Sequence, residues 1–178
     1  MDSLMTDASA SAPPPTPIRK PTKILQPVVI IDTREQRPLE ISGYPVERGT
    51  LPVGDYGIKG FSDWTNPAFI VERKSLQDLY NSLIQGRERF FKEINKLRQF
   101  QFRALLIEAH RFEIESGAFH GGASPASLLA SLDAIQVRVG LHINWAGDSI
   151  GAAIQLEGLV RQFIRGIEKD YDRLHKYV

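Results

Sequence analysis

Apolar residues fall in short, β-branched runs over the first part of the chain and at helical spacing over the second. The run Pro27-Val28-Val29-Ile30-Ile31 has the character of a strand covered on both faces, where alternation is lost. It ends in Asp32-Thr33-Arg34-Glu35. Tyr44 to Leu51 reads as extended, Pro52-Val53-Gly54-Asp55 as a turn, and Tyr56 to Lys59 as the next strand. Phe61 to Pro67 is rich in turn formers and predicts a hairpin loop. Ala68 to Val71 is then the returning strand, with Glu72-Arg73-Lys74 at its end.

From Ser75 the period changes. Ser75 can cap a short helix that holds Leu76 and Leu79, and a longer helix from Arg87 to about Phe100 carries Phe90, Ile94 and Leu97 on one face. Arg103 to Glu108 returns to strand. Ser124-Pro125 supplies a cap followed by proline at the first helical position, opening a helix with Leu128, Leu132, Ile135 and Val139 on one side. Leu141 to Trp145 predicts a last strand, and Asp148 or Ser149 caps the final helix. That helix has Ala153, Leu156, Val160, Phe163 and Ile167 on one stripe and Ile150, Ile154, Leu159 and Ile164 beside it. So wide an apolar face needs two covers, one a sheet and the other a neighbouring subunit. Strands first and alternating strands and helices later predict an α/β fold, a central mixed β-sheet flanked by helices.

The segment 1–27 is dominated by Ala, Ser and Pro and cannot bury enough surface to offset its ordering entropy, so it reads as a disordered tail before a folded domain over 28–178. Its start lacks the charged and apolar regions of a signal peptide, and no apolar run is long enough to span a membrane. The absence of cysteine excludes disulfides, zinc-thiolate and iron–sulfur sites, and fits an intracellular setting. A net charge of +1 argues against a general polycation, so a basic surface must arise by local segregation. Arg87, Arg89, Lys92, Lys96, Arg98 and Arg103 form such a stretch, readable equally as a track for a DNA backbone or as a solvated helix face. The four histidines have no ligand spacing, and no P-loop, dinucleotide glycine signature or serine-hydrolase elbow occurs.

Three acids, Asp32, Asp55 and Glu72, fall at strand ends or at a turn entering a strand. If those strands are neighbours, the carboxylates converge on one sheet edge, a hard-oxygen set suited to Mg²⁺ or Mn²⁺ and to phosphate chemistry. Glu72 and Lys74 are two residues apart on a strand and project to one face, whereas Arg73 points to the other unless the strand bends. Alone, a strand-end aspartate is usually a turn residue or a cap, Glu-Arg-Lys is usually a solvated charge run, and two charges on one strand face otherwise read as a cross-strand ion pair.

Taken in order, Asp32-Thr33-Arg34-Glu35, Gly54-Asp55-Tyr56, Val71-Glu72-Arg73-Lys74-Ser75-Leu76-Gln77-Asp78-Leu79 and Gly86-Arg87 resemble the XPF-type, Hef-like nuclease domain. The likeness runs from Val28 to about Arg165. It implies a restriction-endonuclease-like core and Mg²⁺- or Mn²⁺-dependent cleavage of branched, flapped or forked DNA in repair, recombination or replication. By position, it implies Asp55 and Glu72 as metal ligands, Asp32 as a further acid of the site, Lys74 as the catalytic lysine and Arg73 as the motif's arginine. Arg34, Arg87 and Arg89 are candidate DNA contacts, and Glu35 and Asp78 supporting residues. The family also implies a homodimer through late helices. Fork-cutting members carry a C-terminal tandem helix-hairpin-helix module, whereas the stretch up to Val178 has no Gly-rich hairpins. A separate DNA-binding partner protein is therefore expected. A partner-dependent nuclease subunit and a non-catalytic DNA-binding scaffold remain alternatives to an autonomous enzyme.

Overall fold

The computed structural model describes residues 26–174 and residue 176. All but the last two positions of the expected tail lie outside the described residues. Six strands form one sheet: β1 (Val29–Asp32), β2 (Val46–Gly49), β3 (Tyr56–Ile58), β4 (Phe69–Ser75), β5 (Phe102–Glu108) and β6 (His142–Trp145), in the order β2-β1-β3-β4-β5-β6. β1 runs parallel to β2 and antiparallel to β3, β3 is antiparallel to β4, and β4, β5 and β6 are mutually parallel. The helices are α1 (Leu76–Ile84), α2 (Arg87–Leu97), α3 (Arg111–Glu115), α4 (Pro125–Val139) and α5 (Ser149–Leu174).

The mixed sheet expected from the strand and helix pattern is therefore present, flanked by helices as in a restriction-endonuclease-like core. Alternation along the strands builds two apolar layers. Ile70, Leu105 and Ile107 face α1, α2 and α4, where they meet Leu83, Phe90, Ile94 and Leu132. Phe69, Val71, Ala104 and Leu106 face α5, meeting Ala152, Leu156 and Val160. Both faces of β4 and β5 are covered, which is why their sequences are nearly continuous in apolar residues.

Local signals set the helix ends. The Ser75 hydroxyl accepts from the Asp78 N–H, and the Ser124 hydroxyl accepts from the Ser127 N–H. An Asp148 oxygen accepts from the Gly151 N–H at 2.7 Å, so Asp148 holds the first turn of α5. The α4 helix stops at Gly140, which adopts the left-handed conformation at φ 67°. Two elements differ from the sequence expectation. β4 continues through Glu72-Arg73-Lys74 to Ser75, because its partner β5 supplies a full parallel ladder as far as Glu108. The five-residue α3 has too few turns to leave a period in the sequence. Among the described residues no helix is long and apolar enough to cross a membrane.

Candidate active site

The site begins with a ladder that stops early. Tyr56 pairs with Val71, and the Asp55 N–H donates to the Val71 carbonyl at 2.9 Å. One step further along β4, the Arg73 N–H finds no strand opposite it. Gly54 has turned the chain away at φ 77°, and the Asp55 carboxylate takes that N–H instead, at 2.7 Å. A Cβ on Gly54 would lie 2.8 Å from the Ile70 side chain and 3.0 Å from the Val71 carbonyl, so the turn requires glycine. The Asp55 carbonyl also accepts from the Asp32 N–H at 2.8 Å, which ties the residue to β1. The Gly-Asp pair is thus one device, a turn and a carboxylate that closes the ladder.

Beyond that point β4 sorts its charges by face. The Lys74 ammonium lies 2.8 Å from a Glu72 oxygen and 5.7 Å from the centre of the Phe90 ring, on the side of α1 and α2. Arg73 turns to the opposite face. Its guanidinium contacts Glu108 at 2.7 and 2.8 Å, Glu35 at 3.3 Å and the Arg37 carbonyl at 2.8 Å. The expected alternation holds, and it places the Arg73 side chain in an ion-pair network away from the Glu72–Lys74 face.

Burial first, then repulsion from Glu72, pushes the Asp55 carboxyl up to about 7. The Arg73 N–H and Lys74 pull the other way without winning. Burial acts to lower the Lys74 pKa, but Glu72, Asp55 and Asp78 outweigh it and raise it, so the group stays an ammonium ion at neutral pH. Two carboxylates that repel each other in a partly desolvated site, with hard oxygen donors, fit a divalent cation.

Asp32 departs from its expected place as a third acid facing a metal. It is fully buried, and both its oxygens are taken by protein donors: the Arg34 N–H at 2.9 Å, the Arg34 guanidinium at 2.6 and 3.1 Å, and the Leu51 N–H at 2.7 Å. Burial raises its pKa, but these hydrogen bonds overcome the effect and lower it. The geometric reason is that the chain turns immediately after β1, and Asp32 supplies the acceptors for that turn. Among the described residues no three of His, Cys, Asp and Glu form a ready metal cluster.

Arg34 is mostly exposed despite its bond to Asp32 and lines a hollow of about 310 Å³ with Glu35, Asp55, Arg73, Lys74 and Asp78. Asp78 lies in the first turn of α1, one oxygen accepting from the hydroxyl of the capping Ser75 at 2.6 Å. Arg87, expected at DNA, is exposed and binds the Ser131 hydroxyl at 2.9 Å and the Leu83 carbonyl at 3.4 Å through one nitrogen, with its guanidinium 4.7 Å from the Phe91 ring centre. It is a brace between α1, α2 and α4. Arg89 instead lines an open cleft of about 670 Å³ that begins at Lys74 and passes Asp78, Asn81, Ser82 and Gln85. The sequence reading missed Glu108 and Arg48. Glu108 could have been noticed as an acid closing the apolar run of β5, in the phase of Leu106. Arg48, which binds the Asp32 and Glu35 carbonyls at 3.0 and 2.8 Å, left no such signal.

The family described as the ERCC4 domain matches residues 31–156, more than half of the chain. A solved structure of XPF from Aeropyrum pernix is similar at 28% identity and a TM-score of 0.61, covering 76% of this chain and 61% of that one. A second, XPF from Aeropyrum pernix in complex with DNA, is similar at 26% identity and a TM-score of 0.58, covering 79% and 66%. The chain thus spans between three fifths and two thirds of those proteins. No curated protein matches it.

Proposed function

Because the chain belongs to the ERCC4 domain family, we propose that it is a metal-dependent DNA endonuclease hydrolysing phosphodiester bonds in branched, flapped or forked DNA. The observation that carries this reading is the meeting of Asp55, Glu72 and Lys74 at the end of β4. Asp55 and Glu72 would hold Mg²⁺ or Mn²⁺. The bound ion would supply Lewis acidity at a phosphate oxygen and lower the pKa of water. Lys74, kept protonated by its neighbours, is suited to neutralise the scissile phosphate or to orient the attacking water, and not to act as a base. Arg34 at the rim of the hollow and Arg89 in the adjoining cleft are placed to meet flanking phosphates.

The XPF structure described as a DNA complex supports DNA as the ligand class. Repair, recombination or replication are the pathways that consume such a cut, inside the cell. We propose a homodimer built on α5, where Ile150 and Ile154 remain exposed, and a separate DNA-binding partner for substrate selection.

The test is cleavage of end-labelled linear, flapped, forked and four-way DNA with Mg²⁺ or Mn²⁺. Metal-dependent cutting that falls at least about a hundredfold in Lys74→Ala is expected, the scale of losing one transition-state charge partner. Well-folded protein that cuts none of them, alone or with added partner, would leave a DNA-binding scaffold.

A further inference from the structure

Arg73 joins two things that the sequence keeps apart. Its main-chain N–H carries the Asp55 carboxylate at 2.7 Å, while its side chain is gripped from two directions. From β5, Glu108 holds the guanidinium through Nε and Nη2 at 2.8 and 2.7 Å. From the segment after β1, the Glu35 carboxylate lies 3.3 Å from Nη1, and the Arg37 carbonyl accepts from the same nitrogen at 2.8 Å. All three side chains are nearly buried, Arg73 and Glu108 at 12% exposure and Glu35 at 11%. A charge so placed has one favourable arrangement and little freedom to leave it.

The grip sits where the sheet has least support. Beyond Val71, β4 has no strand on its β3 side, so the peptide between Glu72 and Arg73 is held by the β5 ladder on one edge and the Asp55 carboxylate on the other. That peptide supplies the N–H that one Asp55 carboxylate oxygen accepts. Glu108 is opposite Ser75 in the β4–β5 register, one step past Ile107 opposite Lys74, and its side chain reaches back to Arg73.

We propose that Glu108 is a positioning residue for the reaction. Acting through Arg73, it fixes the N–H that sets the Asp55 carboxylate, and it does so from the face opposite the one where Lys74 works. This rests on the endonuclease reading only for its last step, since the effect on Asp55 exists without metal or DNA.

The experiment compares the full chain with Glu108→Gln, Glu108→Ala, Arg73→Ala and the double variant. The first readout is the ¹⁵N–¹H resonance and hydrogen exchange of the Arg73 amide in metal-free protein. Glu108→Ala should speed that exchange at least about tenfold, with the Ile70 and Leu105 amides unchanged, because local opening is selective. Glu108→Gln, which keeps an acceptor, should recover part of the protection. The second readout is Mn²⁺ affinity, expected to weaken about tenfold in Glu108→Ala and no further in the double variant than in Arg73→Ala, the mark of residues acting as a unit. Unchanged Arg73 exchange in both Glu108 variants would overturn the proposal, and so would additive losses in the double variant. A wild-type chain that cuts no DNA would remove the endonuclease reading while leaving the amide result to stand.

Discussion

The partly buried Asp55 carboxyl makes the stability of the metal-free protein depend on pH. The group ionises near 3.8 in an unfolded chain and near 7 in the folded, metal-free protein. Between those values the folded state binds the extra proton, so metal-free stability falls as pH rises from about 4 to 7 and is level above. Asp55→Asn removes the penalty and should raise the denaturation midpoint of the metal-free protein at about pH 8 while abolishing cleavage. Metal must displace the same proton, so affinity should drop roughly tenfold for each pH unit below 7. Calorimetry in buffers of different ionisation enthalpy reads this directly. Equal heats at about pH 6 would mean that no proton leaves and that the carboxylate is already ionised. The Lys74 pKa is raised as well, but for an ammonium group that favours the charged form, so it stays charged throughout this range.

At the level of elements, the turn before β3 is as much part of the site as any side chain. Gly54→Ala would place a methyl group against Ile70 and the Val71 carbonyl in a backbone conformation that alanine disfavours. A loss of about 2 kcal/mol is expected, with weakened metal binding because Asp55 moves with the turn. Chemical denaturation alongside Mn²⁺ titration separates the two effects. The helices divide the basic stretch into unlike parts. Arg87→Ala should lower the melting temperature by removing the Ser131 and Leu83 bonds, with little change in salt dependence. Arg89→Ala should leave the melting temperature alone and reduce the salt slope of DNA binding by about one. The reverse assignment would show that the brace and the phosphate contact had been exchanged. This is where the sequence was least legible. Apolar runs, turn residues and helical spacing located all six strands and α1, α2, α4 and α5, and the two-residue period sorted Glu72 and Lys74 from Arg73. Such patterns could not distinguish Arg87 from Arg89, because partners such as Ser131 are 44 residues away. Nor could a strand-end aspartate such as Asp32 declare whether it faces a metal or its own turn.

At the scale of the whole molecule, α5 divides its apolar residues between two uses. Ala152, Leu156 and Val160 are sealed against the sheet, while Ile150 and Ile154 stay 71% and 65% exposed. Light scattering should report twice the 20.0 kDa chain mass, and Ile154→Asp should return it to one chain without loss of fold, since a charge is costly only at a covered interface. A single-chain mass for the unaltered protein at high concentration would remove the dimer. The hairpin between β3 and β4 is closed at the opposite end of the strand from Lys74, where the Ser62 hydroxyl accepts from the Ile58 N–H and donates to the Phe69 carbonyl, and Ser62 pairs with Pro67. Its tip, Asp63 to Asn66, is exposed. Asp55 and Glu72 are registered across the sheet and not through that tip. The interval separating the two halves of the motif is therefore free to lengthen or shorten, and the tip is a natural port for an inserted tag or an added module that leaves the chemistry untouched.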